Sequence, residues 1–234
     1  MIYQTGDRFG NIQVIEDGMI RSLHFDAIEK QSAMDIERPE ALVLSYTQFM
    51  MAGFLFNNNV NRLLCIGLGG GSIPRYLAYH MESCLVDVVE IRKEVFRVAQ
   101  KFFLLPIDGR FRYFEGDGAH YVRKSETCRY DMILVDAYDQ KGVAASVAES
   151  SFFERSASIL NTNGVFCINL WSHPSDVYRN AMDEMMRCFS KRTVEIPVRD
   201  RTNRIVLGLD RDVNKQMLQS ISRRAQSLEQ SMEL

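Results

Sequence analysis

Between residues 62 and 209 the chain alternates short apolar runs with segments of helical spacing, and this alternation limits the possible folds more than any other feature. Residues 63–66 (Leu-Leu-Cys-Ile) and 132–135 (Met-Ile-Leu-Val) are continuously apolar, which is typical of strands buried on both faces. Parallel strands separated by helices need crossover connections, and these place helices over both faces of the sheet. The sequence therefore predicts an α/β fold with a Rossmann-like, methyltransferase-type sheet of seven mostly parallel strands.

The same pattern places the individual elements. Predicted strands cover residues 62–66, 85–90, 111–115, 132–136, 165–170, 193–198 and 204–209. Predicted helices begin at about residue 73, cover 93–103, 152–159 and 175–189, and include a short one near residue 121. A terminal amphipathic helix is predicted over 212–230, where apolar residues recur on one side.

The first 38 residues show strand-like alternation instead. Residues 11–15 and 19–25 flank Asp17-Gly18, a dipeptide that suits a tight hairpin turn. From Pro39 onward apolar residues recur every three or four positions, which predicts a helix ending near residues 57–59. The expected organisation is a small N-terminal β-hairpin region (residues 1–38) followed by the Rossmann-like α/β domain (residues 39–234). Because exposed hairpin edges favour pairing with another chain, we expect a homodimer.

Charge and cysteine usage exclude several classes of protein. The 28 Lys and Arg residues nearly balance 30 Asp and Glu residues, and they are scattered, so we expect no nucleic-acid partner. The five cysteines lie far apart without a Cys-x-x-Cys pair, and the four histidines are scattered. We therefore expect reduced thiols, no metal site and a cytoplasmic protein. The most apolar stretch, residues 41–56, is interrupted by polar residues, and no membrane partner is expected.

Glycines and an acid follow the first two predicted strands of the sheet, at the edge where ligands bind in such folds. The first strand runs into residues 67–72 (Gly-Leu-Gly-Gly-Gly-Ser). This loop has few bulky side chains, so its backbone amides can approach a ligand just before a helix. The second strand ends in Glu90, 23 residues after Gly67. At about this offset an acid reaches the two hydroxyls of a ribose.

Acids also follow the third and fourth strands. The third strand leads into Gly116-Asp117-Gly118, and the fourth ends in Asp136, with Asp139 about one turn further on. Each motif taken alone is a common turn, since Asp and Gly both favour turns. Four such strand ends in register at one edge predict a site for a ligand that contains a nucleoside.

Adenosine makes use of all of these residues. Glu90 can hold its ribose, and Asp117 can accept a hydrogen bond from its adenine amino group. A dinucleotide would leave Asp117 and Asp136 without a role and requires a small residue where Ser72 stands. Because no phosphate then needs to be neutralised, the residues favour a sulfonium nucleoside of the S-adenosylmethionine type.

Four motifs together resemble a known family. Residues 64–72 (Leu-Cys-Ile-Gly-Leu-Gly-Gly-Gly-Ser), 88–91 (Val-Val-Glu-Ile), 115–118 (Glu-Gly-Asp-Gly) and 130–139 (Tyr-Asp-Met-Ile-Leu-Val-Asp-Ala-Tyr-Asp) are similar to the successive motifs of the spermidine synthases, the polyamine aminopropyltransferases. The resemblance extends from the N-terminal hairpins to about residue 209. It implies transfer of an aminopropyl group from decarboxylated S-adenosylmethionine, bound as a co-substrate without any prosthetic group, to an amine such as putrescine.

The resemblance also implies roles for individual residues. Asp136 would be the catalytic base that takes a proton from the attacking amine, and Tyr46 and Asp139 would line the amine pocket with it. The residues expected to bind the nucleoside are Gly67, Gly69, Gly71, Glu90, Ile91, Asp117 and Gly118. The chemistry agrees with this set, since an amine must be neutral to attack, whereas the thioether leaves without an acid.

Three positions depart from the family pattern. Gly70 stands where the family usually has an Asp that faces the donor's free amine and would repel the carboxylate of ordinary S-adenosylmethionine. Trp171 falls in a segment where the family has an acid for the acceptor's distal ammonium, and Arg199 lies near a polyamine-contacting Tyr of the family. Two alternatives therefore stay open: a methyltransferase that uses S-adenosylmethionine, and a non-catalytic homologue that binds the nucleoside or a partner protein.

Overall fold

A computed structural model describes residues 1–26, 30–125, 129–139, 142–190, 192–199, 202–211, 220–221 and 225, and of Asp139 it describes the backbone alone. The strands are β1 (Tyr3–Asp7), β2 (Gly10–Asp17), β3 (Ile20–His24), β4 (Lys30–Asp35), β5 (Arg62–Ile66), β6 (Leu85–Glu90), β7 (Phe111–Glu115), β8 (Tyr130–Val135), β9 (Tyr138–Asp139), β10 (Gly142–Val143), β11 (Leu160–Trp171), β12 (Thr193–Pro197) and β13 (Asn203–Leu209). The helices are α1 (Ser45–Met50), α2 (Gly53–Phe56), α3 (Ser72–His80), α4 (Lys93–Phe102), α5 (Gly118–Lys124), α6 (Ser150–Ser158) and α7 (Ser175–Cys188).

The N-terminal sheet is an antiparallel meander in the order β1-β2-β3-β4. Its β2–β3 turn pairs Asp17 with Ile20, and Gly18 at this turn has a φ of 58°, so the turn predicted from Asp17-Gly18 is confirmed. One face of the sheet contributes Ile12 and Leu23, which are fully buried. They belong to the same apolar cluster as residues of β5 and α4, so the sheet packs directly against the main fold.

Seven strands form the main sheet in the order β12-β13-β11-β8-β5-β6-β7. Strands β5, β6, β7, β8 and β11 are parallel, whereas β12 and β13 run antiparallel at one edge. Two apolar clusters cover its faces, as expected for helices on both sides. The predicted fold class is confirmed, and β5, β6 and β7 have the predicted bounds.

The prediction of one continuous helix beginning at Pro39 is wrong, because the structure has two shorter helices in this segment. Helix α1 begins only at Ser45, after Leu44 in an extended conformation, and α2 follows a turn at residues 51–52. The carbonyl of Pro39 accepts a hydrogen bond from the Arg75 guanidinium, so the segment after residue 39 is held by a distant side chain. The spacing of apolar residues does not predict such a contact, because it indicates which residues are buried but not which residues they contact.

Strand β11 differs from the sequence prediction, whereas the predicted terminal helix lies almost entirely outside the described residues. Strand β11 begins at Leu160, five residues earlier than predicted, and its pairing with β8 shifts register between Leu160 and Val165. The helix predicted over 212–230 lies outside the described residues except for Ser220, Ile221 and Ala225, which are helical. Of these, Ile221 packs against the apolar cluster that contains Leu63. Among the described helices, none combines the length and apolar character that a membrane crossing requires.

Candidate functional site

The loop after β5 passes so close to the end of β8 that it requires glycine. Gly67 has a φ of 95°, and a Cβ atom there would lie 2.2 Å from the carbonyl oxygen of Asp136. Gly71, with a φ of 72°, is the N-cap residue of α3, where a Cβ atom would meet Leu105 at 2.6 Å. The glycines of this predicted motif therefore bring the backbone of β5, β8 and α3 together at one edge of the sheet.

Glu90, the last residue of β6, fixes the same loop from the other side. Its Oε2 accepts a hydrogen bond from the Leu68 amide at 3.0 Å, and its Oε1 accepts one from the Arg92 amide at 2.8 Å. Burial raises the pKa of the Glu90 carboxyl, and these amides oppose the rise. The Arg92 guanidinium instead forms an ion pair with Asp7 of the N-terminal sheet, at 2.9 Å.

Asp117 is the N-cap residue of α5. Its Oδ1 accepts a hydrogen bond from the His120 amide at 2.7 Å, as N-cap carboxylates commonly do, and its Oδ2 accepts one from the Ser146 hydroxyl at 2.5 Å. The next residue, Gly118, lies against β5, because a Cβ atom there would be 2.3 Å from Ile66. Both carboxylate oxygens are thus held in fixed directions beside the first turn of the helix.

Asp136 directly follows β8 and is held by two neutral donors. The Tyr46 hydroxyl donates to its Oδ2 at 3.0 Å, and the Asn169 side-chain amide donates to its Oδ1 at 2.9 Å. Burial raises the pKa of the Asp136 carboxyl, and the two hydrogen bonds counteract this. A buried carboxylate that has no cationic partner in these contacts, and that retains free lone pairs, is suited to accept a proton or an ammonium group.

Asn169, on β11, is a further residue of the site, and it lies outside the motifs from which the site is predicted. Its side-chain oxygen accepts a hydrogen bond from the Asn203 amide at 2.9 Å, which fixes the orientation of the Asn169 amide toward Asp136. Residue 169 lies near the carboxyl end of the strand next to β8 in the sheet. The rule that identified Glu90 and Asp136 would have found it if it had been applied to this strand as well.

One cleft of about 1000 Å³ brings the predicted residues together at the carboxyl edge of the sheet. Its volume lies at the upper end of the range for small-molecule sites. The predicted site residues that line it are Tyr46, Gly67, Gly69, Glu90, Ile91, Asp117, Gly118 and Asp136. Gly71 instead begins α3 behind the loop, and the side chain of Asp139 lies outside the described part of the chain. Residues of the N-terminal sheet, among them Lys30 and Gln31, form another part of the wall.

Gly70 faces the N-terminal sheet in a tight contact. A Cβ atom at this position would lie 2.9 Å from the Ser32 hydroxyl oxygen and 3.0 Å from the Phe103 ring. Ser32 is itself buried and bonded to Ser72 at 3.0 Å. An acidic side chain would therefore require these neighbours to move, so the glycine is matched to the local packing.

Fold and cleft together define a Rossmann-like α/β protein with a site of nucleoside size at the carboxyl edge of its sheet. Residues 44–197 match the family model described as the spermine/spermidine synthase domain. The chain belongs to this family, and the resemblance inferred from its motifs is confirmed.

The chain is similar in sequence to a known aminopropyltransferase, and it shares its fold with two more distant solved structures. The chain is 34% identical to the polyamine aminopropyltransferase of Chromobacterium violaceum over 93% of its own length and 83% of that protein. A probable spermidine synthase from Corynebacterium glutamicum has the same fold, with a TM-score of 0.82, 19% identity and coverage of 95% of this chain and 86% of that one. Human methyltransferase-like protein 13, solved in complex with SAH, gives a TM-score of 0.72 at 24% identity, over 82% of this chain and 93% of that one.

Proposed function

We propose that the chain transfers the aminopropyl group of decarboxylated S-adenosylmethionine to a primary amine. The observation that carries the proposal is the buried Asp136 carboxylate, held by Tyr46 and Asn169 in the same cleft as Glu90 and Asp117. Membership of the spermine/spermidine synthase family and the polyamine aminopropyltransferase of Chromobacterium violaceum support the reaction class.

In this proposal the strand ends on one side of the cleft bind the donor. The Glu90 carboxylate accepts hydrogen bonds from the ribose hydroxyls with the lone pairs that Leu68 and Arg92 leave free. Asp117 accepts a hydrogen bond from the adenine amino group. Ile91 is 42% exposed although it is apolar, and it would lose this exposed surface by covering the adenine ring beside Gly118. Gly67 and Gly69 allow the donor to lie against bare backbone.

The transfer step needs one protein group that accepts a proton. The amine nitrogen attacks the carbon next to the sulfonium, a carbon–nitrogen bond forms, and the carbon–sulfur bond breaks with its electron pair moving to sulfur. The products are an alkylated amine and neutral methylthioadenosine. The proton released by the nitrogen passes to Asp136, whose raised pKa brings it closer to that of the amine. Tyr46 keeps the carboxylate oriented toward the nitrogen.

Replacing Glu90 by Ala should weaken donor binding roughly 10- to 150-fold, because lost hydrogen bonds to a charged group cost about 1.5–3 kcal/mol. Isothermal titration calorimetry with methylthioadenosine measures the change. The matched control is Glu115→Ala, since Glu115 pairs with Glu90 in the β6–β7 register but its side chain is 59% exposed and contacts Lys93. Equal affinity of the Glu90 variant and the control would contradict the ribose assignment.

A methyltransferase that uses ordinary S-adenosylmethionine is the second candidate, and Gly70 favours it. The packing around Gly70 leaves no acid at that point of the loop to repel the carboxylate of the undecarboxylated donor. On the aminopropyltransferase proposal, calorimetry should show decarboxylated S-adenosylmethionine binding at least about tenfold more tightly, since the extra carboxylate would lie in a cleft that holds Asp136. The reverse preference would establish the methyltransferase. Binding of neither donor would favour a non-catalytic homologue.

The homodimer, the cytoplasmic location and the boundary between the two regions at residue 38 stay proposals. Strand β1 lies at one edge of the N-terminal sheet, and Ile2 beside it is exposed, which supports pairing of this edge with a second copy. Sedimentation velocity at micromolar concentration measures the oligomeric state directly.

A further inference from the structure

Two side-chain amides in succession lead to the Asp136 carboxylate across three neighbouring strands. Strands β13, β11 and β8 are adjacent in the main sheet. Asn169 pairs with Ile205 in the β11–β13 register, so Asn203, two residues before Ile205, lies diagonally beside Asn169 on the same face. The Asn203 amide donates to the side-chain oxygen of Asn169 at 2.9 Å, and the Asn169 amide donates to Asp136 Oδ1 at 2.9 Å. Both hydrogen bonds are therefore donated in the direction of the carboxylate.

The two possible orientations of the Asn169 amide have opposite effects on Asp136. A side-chain amide carries two donors on its nitrogen and an acceptor on its oxygen, and here the nitrogen faces Asp136. Rotated by half a turn, the amide would place its oxygen against Asp136 Oδ1, and two acceptors can meet there only if a proton lies between them. The rotated amide would therefore stabilise protonated Asp136, which cannot accept a proton from the substrate.

Asn203 is the residue that opposes this rotation. Asn169 is only 2% exposed, and the Tyr138 hydroxyl donates to its backbone carbonyl at 2.7 Å, which fixes the strand around it. If the Asn169 amide rotated, its nitrogen would face the Asn203 nitrogen, and two donors would meet in a buried place. Such a mismatch costs more than the loss of an exposed hydrogen bond. The backbone carbonyl of Asn203 in turn accepts from the Val198 amide at 3.2 Å, which holds this end of β13.

We propose that Asn203 is a positioning residue for the proton-accepting step, because it keeps the Asn169 amide nitrogen turned toward Asp136 and so leaves the carboxylate to take its proton from the substrate nitrogen. This inference rests on the proposed function, since it takes Asp136 as the base. It gives β13, which carries none of the predicted site residues, a part in the reaction.

The first test replaces the donor of this pair. Asn203→Leu should lower kcat at neutral pH at least about tenfold, because Asp136 loses a correctly oriented hydrogen bond and a bond to a charged group contributes about this factor. Asn203→Asp keeps the shape of the side chain but presents an acceptor to Asn169, and it should lower kcat by at least the same factor. The affinity for methylthioadenosine, measured by calorimetry, should stay within about threefold in both variants.

Asn161→Leu is the matched control for Asn203→Leu. Asn161 lies at the opposite end of β11, and its amide also donates to a carboxylate of β8, that of Asp131, at 2.7 Å. The same substitution therefore removes an asparagine contact between the same two strands, but far from the cleft. Its kcat should stay within about twofold of the native value.

A double variant distinguishes positioning from damage to the fold. In Asp136→Asn the new amide can itself rotate to match either orientation of Asn169. Adding Asn203→Leu to Asp136→Asn should therefore change the remaining kcat by less than about twofold, because the two residues act as one unit. A loss of kcat by the same factor in both backgrounds would contradict the positioning role.

A further measurement examines Asp136 without turnover. In protein with ¹³C-labelled aspartate, the carboxyl resonance of Asp136, assigned by its absence in Asp136→Asn, is followed by NMR against pH. The midpoint should lie at higher pH in Asn203→Leu than in the native protein, because the rotated amide stabilises the protonated acid. If the midpoint rises but no amine is aminopropylated, the proposed function fails while the positioning of Asp136 by Asn203 stands.

The surrounding titratable groups do not obscure this comparison. Those described groups that interact electrostatically with Asp136 come from four elements and have pKa values raised by burial, so they stay neutral through the titration; they are Tyr46 of α1, Cys65 of β5, Tyr138 of β9 and Cys167 of β11. The side chain of Asp139 lies outside the described residues, and any charge on it acts on the native protein and the variant alike. The same holds for the charged residues of the cleft, namely Arg8, Lys30, Glu90, Arg92 and Asp117.

Two results would overturn the inference. One is an Asn203→Leu variant with an unchanged kcat and a raised KM for the amine, because Asn203, which lines the cleft, would then contact the acceptor instead. The other is an Asp136 midpoint that Asn203→Leu leaves unchanged, because the orientation of Asn169 would then not depend on Asn203.

Discussion

The variant Asp136→Asn should lower kcat by a factor of about 10² to 10⁴, the usual contribution of a positioned general base. The amide has nearly the same shape as the carboxylate, so it still accepts the hydrogen bond from Asn169, but it cannot accept the proton that the attacking nitrogen must lose. Donor affinity should stay within about threefold of the native value, because Glu90 and Asp117 are untouched. Steady-state kinetics and calorimetry with methylthioadenosine separate the two effects.

Tyr46→Phe is the matched control for this prediction. It removes only one of the two donors to Asp136 and keeps the carboxylate, so its kcat should lie between those of the native protein and Asp136→Asn. The acidic limb of its pH–rate profile should shift to higher pH, because losing the Tyr46 hydrogen bond raises the pKa of Asp136 further. An unchanged kcat in Asp136→Asn would remove the proposed base.

Unfolding measurements show whether a lower kcat comes from chemistry or from damage to the fold. Burial raises the pKa of Asp136 in the folded state, so between the ordinary and the raised value the native protein binds more protons than the unfolded chain. Its free energy of unfolding therefore falls as pH rises through that range. Asp136→Asn lacks this loss, so its stability relative to the native protein should increase as pH rises above the ordinary pKa of an aspartate. An inactive variant whose relative stability falls as pH rises would contradict this account.

The parts of the site that follow from topology could be predicted from the sequence. Parallel strands end at one edge of a sheet, so residues that follow β5, β6, β7 and β8 must come together however far apart they lie in the chain. This reasoning brought Glu90, Asp117 and Asp136 to one cleft, and the structure confirms that they line it. The buried strands could be predicted equally well, because a continuous apolar run indicates a strand covered on both faces.

The parts that depend on side-chain packing could not be predicted in this way. The contact between Arg75 and the Pro39 carbonyl holds a segment whose sequence spacing is helical. The packing of Gly70 against Ser32 and Phe103 joins residues 38 and 33 positions apart in the sequence. Neither contact leaves a periodic signal, because each depends on how the N-terminal sheet lies against the main fold. A family motif gives the residue type at such positions but not the neighbour that requires it.

Gly67→Ala should lower the free energy of unfolding by about 2–5 kcal/mol and should weaken donor binding and turnover together. About 1–2 kcal/mol comes from placing an L-residue at positive φ, and about 1–3 kcal/mol from overpacking. The new Cβ atom would lie 2.2 Å from the Asp136 carbonyl oxygen and 2.7 Å from its carbonyl carbon. These are backbone atoms, so β5 and β8 must move apart at the site itself. Chemical denaturation and calorimetry measure the two effects.

Gly18→Ala separates the cost of positive φ from the cost of the contact. Gly18 also has a positive φ, of 58°, but a Cβ atom there meets nothing within 4 Å, so this variant should lose only the conformational cost of about 1–2 kcal/mol. If Gly67→Ala lowers the free energy of unfolding no more than Gly18→Ala does, the close approach of the loop after β5 to Asp136 has no energetic consequence.

The comparison of Gly67→Ala with Asp136→Asn separates the donor loop from the base. Removing the carboxylate should affect turnover alone, whereas Gly67→Ala should affect donor affinity and turnover together, because one contact sets both the position of the donor loop and that of the base.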